Sequence, residues 1–280
     1  MLVNTKITGF ADEIDTDINK QVQLLGKLGI TYLEFRSANG KNVADFTIEE
    51  AKELKKYLTE HKIQVSAIGS PIGKINITED FEAHFEVYKR VVEIAKIMET
   101  PFIRMFSFFV PEGVAPELYN EEVYSRIERL VDYAKEHNVI LLHENEKDIF
   151  GEKIQQCVNL MERFYGDHFK CTFDFANFVQ AKQDTLEAYE QLQSYIEYIH
   201  IKDAILENGK VVPAGEGDGK LREILRMLDQ RGYSGFLSLE PHLFEFDGLK
   251  NLEKNPGDSL LTDGEAAFIV AYQALINILE

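Results

Sequence analysis

The 280-residue chain carries 48 acidic against 30 basic residues, a formal charge of −18. A surface that acidic repels phosphate backbones and anionic membranes, so the electrostatic routes to nucleic acid or bilayer are excluded. Hydrophobic content of 45%, charged content of 28% and no break in composition indicate one globular domain over residues 1–280, large enough to fold without disulfides. Two cysteines without CxxC spacing, Cys157 and Cys171, suit a reducing compartment. The N-terminus lacks the basic and apolar regions of a leader, and no run approaches the roughly 18 apolar residues of a membrane span. The expectation is a cytoplasmic protein.

Short apolar runs predict strands at Ile7–Ala11, Thr31–Arg36, Gln64–Ile68, Phe102–Phe106, Val139–Glu144, Cys171–Asp174, Tyr198–Lys202 and Phe236–Glu240. Longer amphipathic segments alternate with them. Thr47 can cap the segment TIEEAKELKKYLTEHK, with Glu49 and Glu50 in its first turn, where the helix dipole favours negative charge. From Phe81 to Met98, Val87, Val91, Ile94 and Met98 fall on one helical stripe. Later helices are predicted at Glu121–Glu136, Glu152–Phe164, Thr185–Tyr195, Leu221–Gln230 and Gly264–Leu279. The glycines at 26, 29, 232 and 235 fall where helices should stop and strands begin. Eight strand–helix units are the count of a single (β/α)8 TIM barrel, although an open doubly wound sheet shows the same alternation.

The charges favour the barrel. Side chains of a strand alternate between faces, so in YIHIKD the residues Ile199 and Ile201 face the helices while His200 and Lys202 face the axis. In FLSLEPH, Ser238 and Glu240 share the inner face; in LLHEN, Leu142 and Glu144; in CTFDF, Thr172 and Asp174. Four consecutive strands thus present an ionisable group inward near their C-terminal ends, where active sites of this fold sit. Buried charges need partners or a metal. Three carboxylates and one imidazole form a hard donor set for one divalent metal ion, Mn²⁺ first, with Mg²⁺ or Co²⁺ also suited and Zn²⁺ compatible through the nitrogen.

These residues carry a family resemblance. The segments GFADEI (9–14), YLEFRSANGKNV (32–43), LLHENEKDIFG (141–151), FDFANF (173–178), YIHIKDA (198–204), PAGEGDG (213–219) and LSLEPHL (237–243) resemble the xylose isomerase-like barrels, within them the sugar phosphate isomerases/epimerases related to ketose 3-epimerases. The resemblance implies that Glu144, Asp174, His200 and Glu240 are the metal ligands. It also implies that Glu144 and Glu240 are catalytic, one removing a proton alpha to a carbonyl and the other returning it to a metal-held enediolate. The substrate so implied is a small ketose or related polyol carbonyl compound. A dehydratase of a keto-inositol or keto-sugar would begin with the same proton abstraction, and a non-catalytic sugar-binding barrel is a further alternative. Many relatives carry a histidine where this chain has Asn177, which can still hydrogen-bond a substrate hydroxyl. The barrel endonucleases of the superfamily need more strand-end histidines than His143, His200 and His242.

Around this set stand groups with two readings each. Lys202 either orients a substrate oxygen or pairs with Asp203 or Glu240. His242 either contacts substrate or supports Glu240. Glu34 and Arg36 either pair with each other, or Arg36 binds substrate hydroxyls or a phosphate. Arg104 and Lys74 are further candidate anion contacts. Glu216, in a glycine-rich stretch, is a polyol contact or part of a tight turn. Phe106, Phe108 and Phe109 line an apolar wall or pack under the next helix. The long connection Leu243–Leu261 has the length of a lid or an interface segment, and homo-oligomerisation stays open.

Overall fold

The computed structural model describes residues 2–243 and 263–280. The chain begins with β1 (Lys6–Gly9), α1 (Ile18–Lys27) and β2 (Tyr32–Phe35), followed by a short hairpin of β3 (Ser37–Ala38) and β4 (Lys41–Asn42). Next come α2 (Ile48–Glu60), β5 (Gln64–Ile68), α3 (Phe81–Met98), β6 (Phe102–Met105), α4 (Asn120–His137), β7 (Ile140–Glu144) and α5 (Ile154–Phe164). After β8 (Phe169–Asp174) two helices follow, α6 (Phe175–Gln180) and α7 (Thr185–Leu192). The rest is β9 (Ile196–Ile201), a hairpin of β10 (Asp203–Ala204) and β11 (Val211–Val212), α8 (Leu221–Gln230), β12 (Phe236–Leu239) and α9 (Asp263–Leu279).

Eight of the strands form one parallel sheet in the order β1-β12-β9-β8-β7-β6-β5-β2. Its two ends meet through a single parallel bridge, Phe10 to Glu34. The result is the expected (β/α)8 barrel, and the open-sheet alternative is excluded. Thr47 does cap α2, through a reciprocal capping box with Glu50. The connection from Leu243 to Leu261 lies, beyond Leu243, outside the described residues.

Outward strand residues such as Leu141, Phe173, Ile199, Ile201, Leu237 and Leu239 are fully buried against the helices in the main apolar cluster. Inside the barrel, Ala67, Leu142 and Tyr198 pack with Phe102, Ile140 and Phe236 as an apolar plug. Above it the inner layer turns polar. The Ser66 hydroxyl lies 2.8 Å from both the Thr8 hydroxyl and the Tyr198 phenol. The charged residues sit above this layer, so the barrel grades from apolar floor to ionic mouth. α9 seals the first strand, where a side chain at Gly9 would come within 2.8 Å of the Phe268 ring. No helix among the described residues is long and apolar enough to cross a membrane.

Candidate metal centre

β7 ends at Glu144 and β8 ends at Asp174, and the β8–β9 register sets Asp174 beside His200. The β9–β12 register sets His200 beside Ser238, so Glu240 leaves the barrel level with Lys202. The alternation read from the sequence therefore converges. One ligand atom from each of Glu144, Asp174, His200 and Glu240 lies within 4.8 Å of the others, and all four residues are buried. His200 Nδ1 is the inward nitrogen, 2.8 Å from Glu144 Oε1, 3.6 Å from Glu240 Oε2 and 3.9 Å from Asp174 Oδ2.

The electrostatics of this cluster are unequal. Burial would raise the Glu144 carboxyl, but His200 and Arg104 outweigh it and bring its pKa down to about 2. Arg104 reaches Glu144 Oε2 at 3.0 Å. Burial likewise works against Glu240, yet Lys202, His242, His200 and Arg36 hold it well below the usual carboxylate range. Asp174 behaves differently. Burial pushes its carboxyl up to about 7 against Lys202, and the Glu240 and Glu144 charges add to the rise. Asp174 is thus the carboxyl that burial most disfavours as a charge, and a cation bound beside it would favour its ionised form. One Asp174 oxygen, Oδ1, accepts the Asn177 N–H at 2.7 Å and caps α6. The other, Oδ2, is buried without an aligned hydrogen bond, although Lys202 Nζ stands 3.0 Å away. An oxygen left free and aimed into a set of hard donors fits a metal ligand.

Asn145, which sequence reasoning did not single out, locks two ligand strands together. Its Nδ2 donates to the Asp174 carbonyl at 2.9 Å and its Oδ1 accepts the Asp174 N–H at 3.0 Å. The signal available was its place beside Glu144 in the segment HEN. Asn177 spends its amide nitrogen on the protein, at 2.9 Å from the Asn145 carbonyl and 3.4 Å from Glu144 Oε1. That position fits a brace for Glu144 better than the expected substrate contact.

Lys202 lies 2.9 Å from Glu240 Oε2, so one of its expected pairings is present. The alternative pairing with Asp203 is not. Both Asp203 oxygens instead accept backbone N–H groups, from Ala204 and from Gly215, Gly217 and Gly219. The glycine-rich stretch is therefore a loop wrapped on Asp203, where a side chain at Gly217 would lie 2.5 Å from Asp203 Oδ1. Glu216 is exposed within this loop, which has the tight-turn form of the alternative reading.

Glu34 and Arg36 do not pair with each other, contrary to one expectation. Glu34 Oε2 accepts from Ser238 Oγ at 2.6 Å and faces His200 Nε2 at 3.3 Å. Arg36 turns to the mouth, 2.8 Å from Asp12 Oδ2, 3.3 Å from Glu13 Oε1 and 3.7 Å from Glu240 Oε1. His242 follows it, at 3.1 Å from Glu13 Oε1 and 3.5 Å from Glu240 Oε1. The contact with Glu240 expected of His242 is thus present, Arg36 makes one that was not expected, and Asp12 and Glu13 are the residues the sequence reading overlooked. Phe10 lies between the Arg36 and Arg104 guanidiniums, 4.5 and 5.1 Å from its ring centre. Lys74, offered as an anion contact, pairs with Glu146 at 3.0 Å. Phe108 packs edge-on against Phe81 of α3, while Phe106 lies under Arg104 and Lys74.

With this geometry in hand, comparison with known proteins is informative. Residues 22–260 match the model of the xylose isomerase-like TIM barrels. The chain belongs to that family. A 3-dehydroshikimate dehydratase of Bacillus anthracis is 20% identical over 188 residues, covering 67% of this chain and 66%, just under two thirds, of that protein. Among solved structures, the IOLI protein with a bound zinc superposes with a TM-score of 0.76 at 18% identity, covering 98% of each chain. An L-ribulose 3-epimerase superposes with a TM-score of 0.70 at 18% identity, covering 98% of this chain and 94% of that one. These likenesses establish the barrel, and the proteins it resembles include an epimerase and a dehydratase.

Proposed function

We propose that the chain is a divalent-metal-dependent isomerase or epimerase that acts on a ketose or related polyol carbonyl compound through an enediolate. The observation that carries this reading is the convergence of Glu144, Asp174, His200 and Glu240, four buried groups with a ligand atom each within 4.8 Å of the others. Bound there, a divalent cation supplies positive charge that stabilises negative charge developing on a substrate carbonyl oxygen. Ionised, one glutamate takes the proton alpha to the carbonyl; the other, having taken up a proton from solvent, gives it to the opposite face. Arg104 favours the ionised form of Glu144, and Arg36 and His242 that of Glu240, so each gives up an acquired proton readily. Lys202, fixed between Asp174 and Glu240, is placed to hold a substrate oxygen. The donor set suits Mn²⁺, Mg²⁺ or Co²⁺, and the zinc in the IOLI structure keeps Zn²⁺ in the set.

A second reading, a dehydratase, is favoured by the Bacillus anthracis relative. It uses the same first proton abstraction, after which a beta hydroxyl leaves as water with a proton from Lys202. The deciding experiment incubates the metal-loaded protein in D2O with a panel of ketoses, keto-inositols and 3-dehydroshikimate. Deuterium at the carbon next to the carbonyl without loss of mass supports the isomerase or epimerase. Loss of one water with a new conjugated absorbance supports the dehydratase. Neither outcome across the panel, with metal bound, overturns both.

A further inference from the structure

His200 is clamped on four sides. The Phe10 ring meets its imidazole edge-on at 5.2 Å, and the Tyr198 ring meets it edge-on at 5.8 Å. Nδ1 looks up into the carboxylates of the proposed centre, and Nε2 looks down at Glu34. Glu34 itself is 1% exposed, and its position is specified twice over. The ladder between β2 and β5 shifts register between Leu33 and Glu34, and the next contact along is the bridge that closes the barrel, Phe10 to Glu34. Ser238 then donates to Glu34 Oε2 from the far side of β1.

A buried carboxylate is costly, and nothing in the proposed proton transfers uses this one. His200 Nε2 supplies the reason. It is buried with no aligned hydrogen bond among the described residues, and the nearest charged group is Glu34 Oε2, at 3.3 Å. A neutral imidazole carries its proton on either nitrogen, and a metal on Nδ1 requires it on Nε2. An acceptor fixed beneath Nε2 selects that tautomer and fixes the ring plane at the same time.

We propose that Glu34 is a positioning residue for the metal centre, accepting the His200 Nε2 proton so that Nδ1 presents its lone pair to the metal. This inference rests on the metal-site reading above. The Phe10 and Tyr198 edges restrict ring rotation, Glu34 sets the tautomer, and Ser238 sets Glu34.

The test measures Zn²⁺ and Mn²⁺ affinity by competition with a chromogenic chelator, for the full chain and for Glu34→Ala, Glu34→Gln and Ser238→Ala. Second-sphere acceptors of this kind contribute about 10- to 100-fold in metal affinity, so Glu34→Ala should lose that much. Glu34→Gln, whose amide oxygen still accepts, should lose less, and Ser238→Ala should fall between wild type and Glu34→Ala. Metal affinity within about threefold of wild type in Glu34→Ala, even with a lowered melting temperature, would make the residue merely structural and overturn the proposal. The wild type gives an independent readout if the variants fail to fold. Histidine ring 15N spectra of the zinc-loaded protein should show His200 with its proton on Nε2, and a proton on Nδ1 overturns the proposal. Failure of the wild type to bind either metal is a different result, because it removes the metal centre itself.

Discussion

Glu144 and Glu240 share one space but answer to different neighbours. Arg104 and His200 hold the first, and Lys202, Arg36 and His242 hold the second. Replacing Glu240 by Gln keeps an oxygen ligand and the side-chain volume but removes the base. Turnover should then fall by at least about 100-fold while calorimetric substrate affinity survives. A wild type that binds sugars without turning any over would instead favour the sugar-binding barrel. The double replacement Asp174→Ala, His200→Ala removes the oxygen and nitrogen that no other residue replaces. Plasma mass spectrometry should find about one divalent metal per wild-type chain and none in the double variant. The ligand candidates were legible because strand alternation is a local rule. Of the partners, Lys202 and His242 were expected beside Glu240, but Ser238 and Arg104 were not foreseen in their pairings. Glu34 meets Ser238 across 204 positions and Arg104 meets Glu144 across 40, and no spacing rule connects residues so far apart. The apparent Glu34–Arg36 pair was misleading for the same reason: Asp12 and Glu13, brought in by another strand, compete for Arg36 and win on distance.

At the level of elements, Asp203 organises the loop between β10 and α8 by accepting four backbone N–H groups at 2.9 to 3.0 Å. Asp203→Asn turns an amide NH2 toward two of those donors. Urea unfolding should show a loss of about 2–4 kcal/mol, since each buried donor left unpaired costs roughly 1–3 kcal/mol. An unchanged midpoint would mean that the loop is held elsewhere. All eight barrel strands fall within a few residues of the sequence-predicted runs, because buried parallel strands are short, apolar and rich in branched residues. Less was visible in the connections. α1 was marked only at its end, by Gly26 and Gly29, and its Asp17 cap was missed; the six-residue α6 begins on the capping oxygen of Asp174, a residue read only as a ligand. The two hairpins are too short to leave a hydrophobic period.

For the molecule as a whole, a formal charge of −18 means that the folded chain repels itself. In the presence of a chelator, the melting temperature should rise between about 10 mM and about 150 mM NaCl, as the screening length shrinks from roughly 30 Å to roughly 8 Å. A flat or falling curve would show that the ion-pair networks outweigh the net repulsion. Adding Mn²⁺ at constant ionic strength should raise the melting temperature of the wild type further. It should leave the Asp174→Ala, His200→Ala protein where it was, because only a ligand that prefers the native state stabilises it.

The single bridge between Phe10 and Glu34 gives the ring of strands a seam. Most other neighbours in the ring are joined by ladders of several paired residues, although β5 and β6 meet at the single pair Ile68–Ile103. At the seam the Ser238–Glu34 bond acts as a brace thrown across β1, joining the last strand to the second. Closure of the ring and the orientation of His200 are therefore tied to one side chain. A shorter residue at position 34 gives up the brace to Ser238 and the oxygen beneath His200 Nε2 in a single step.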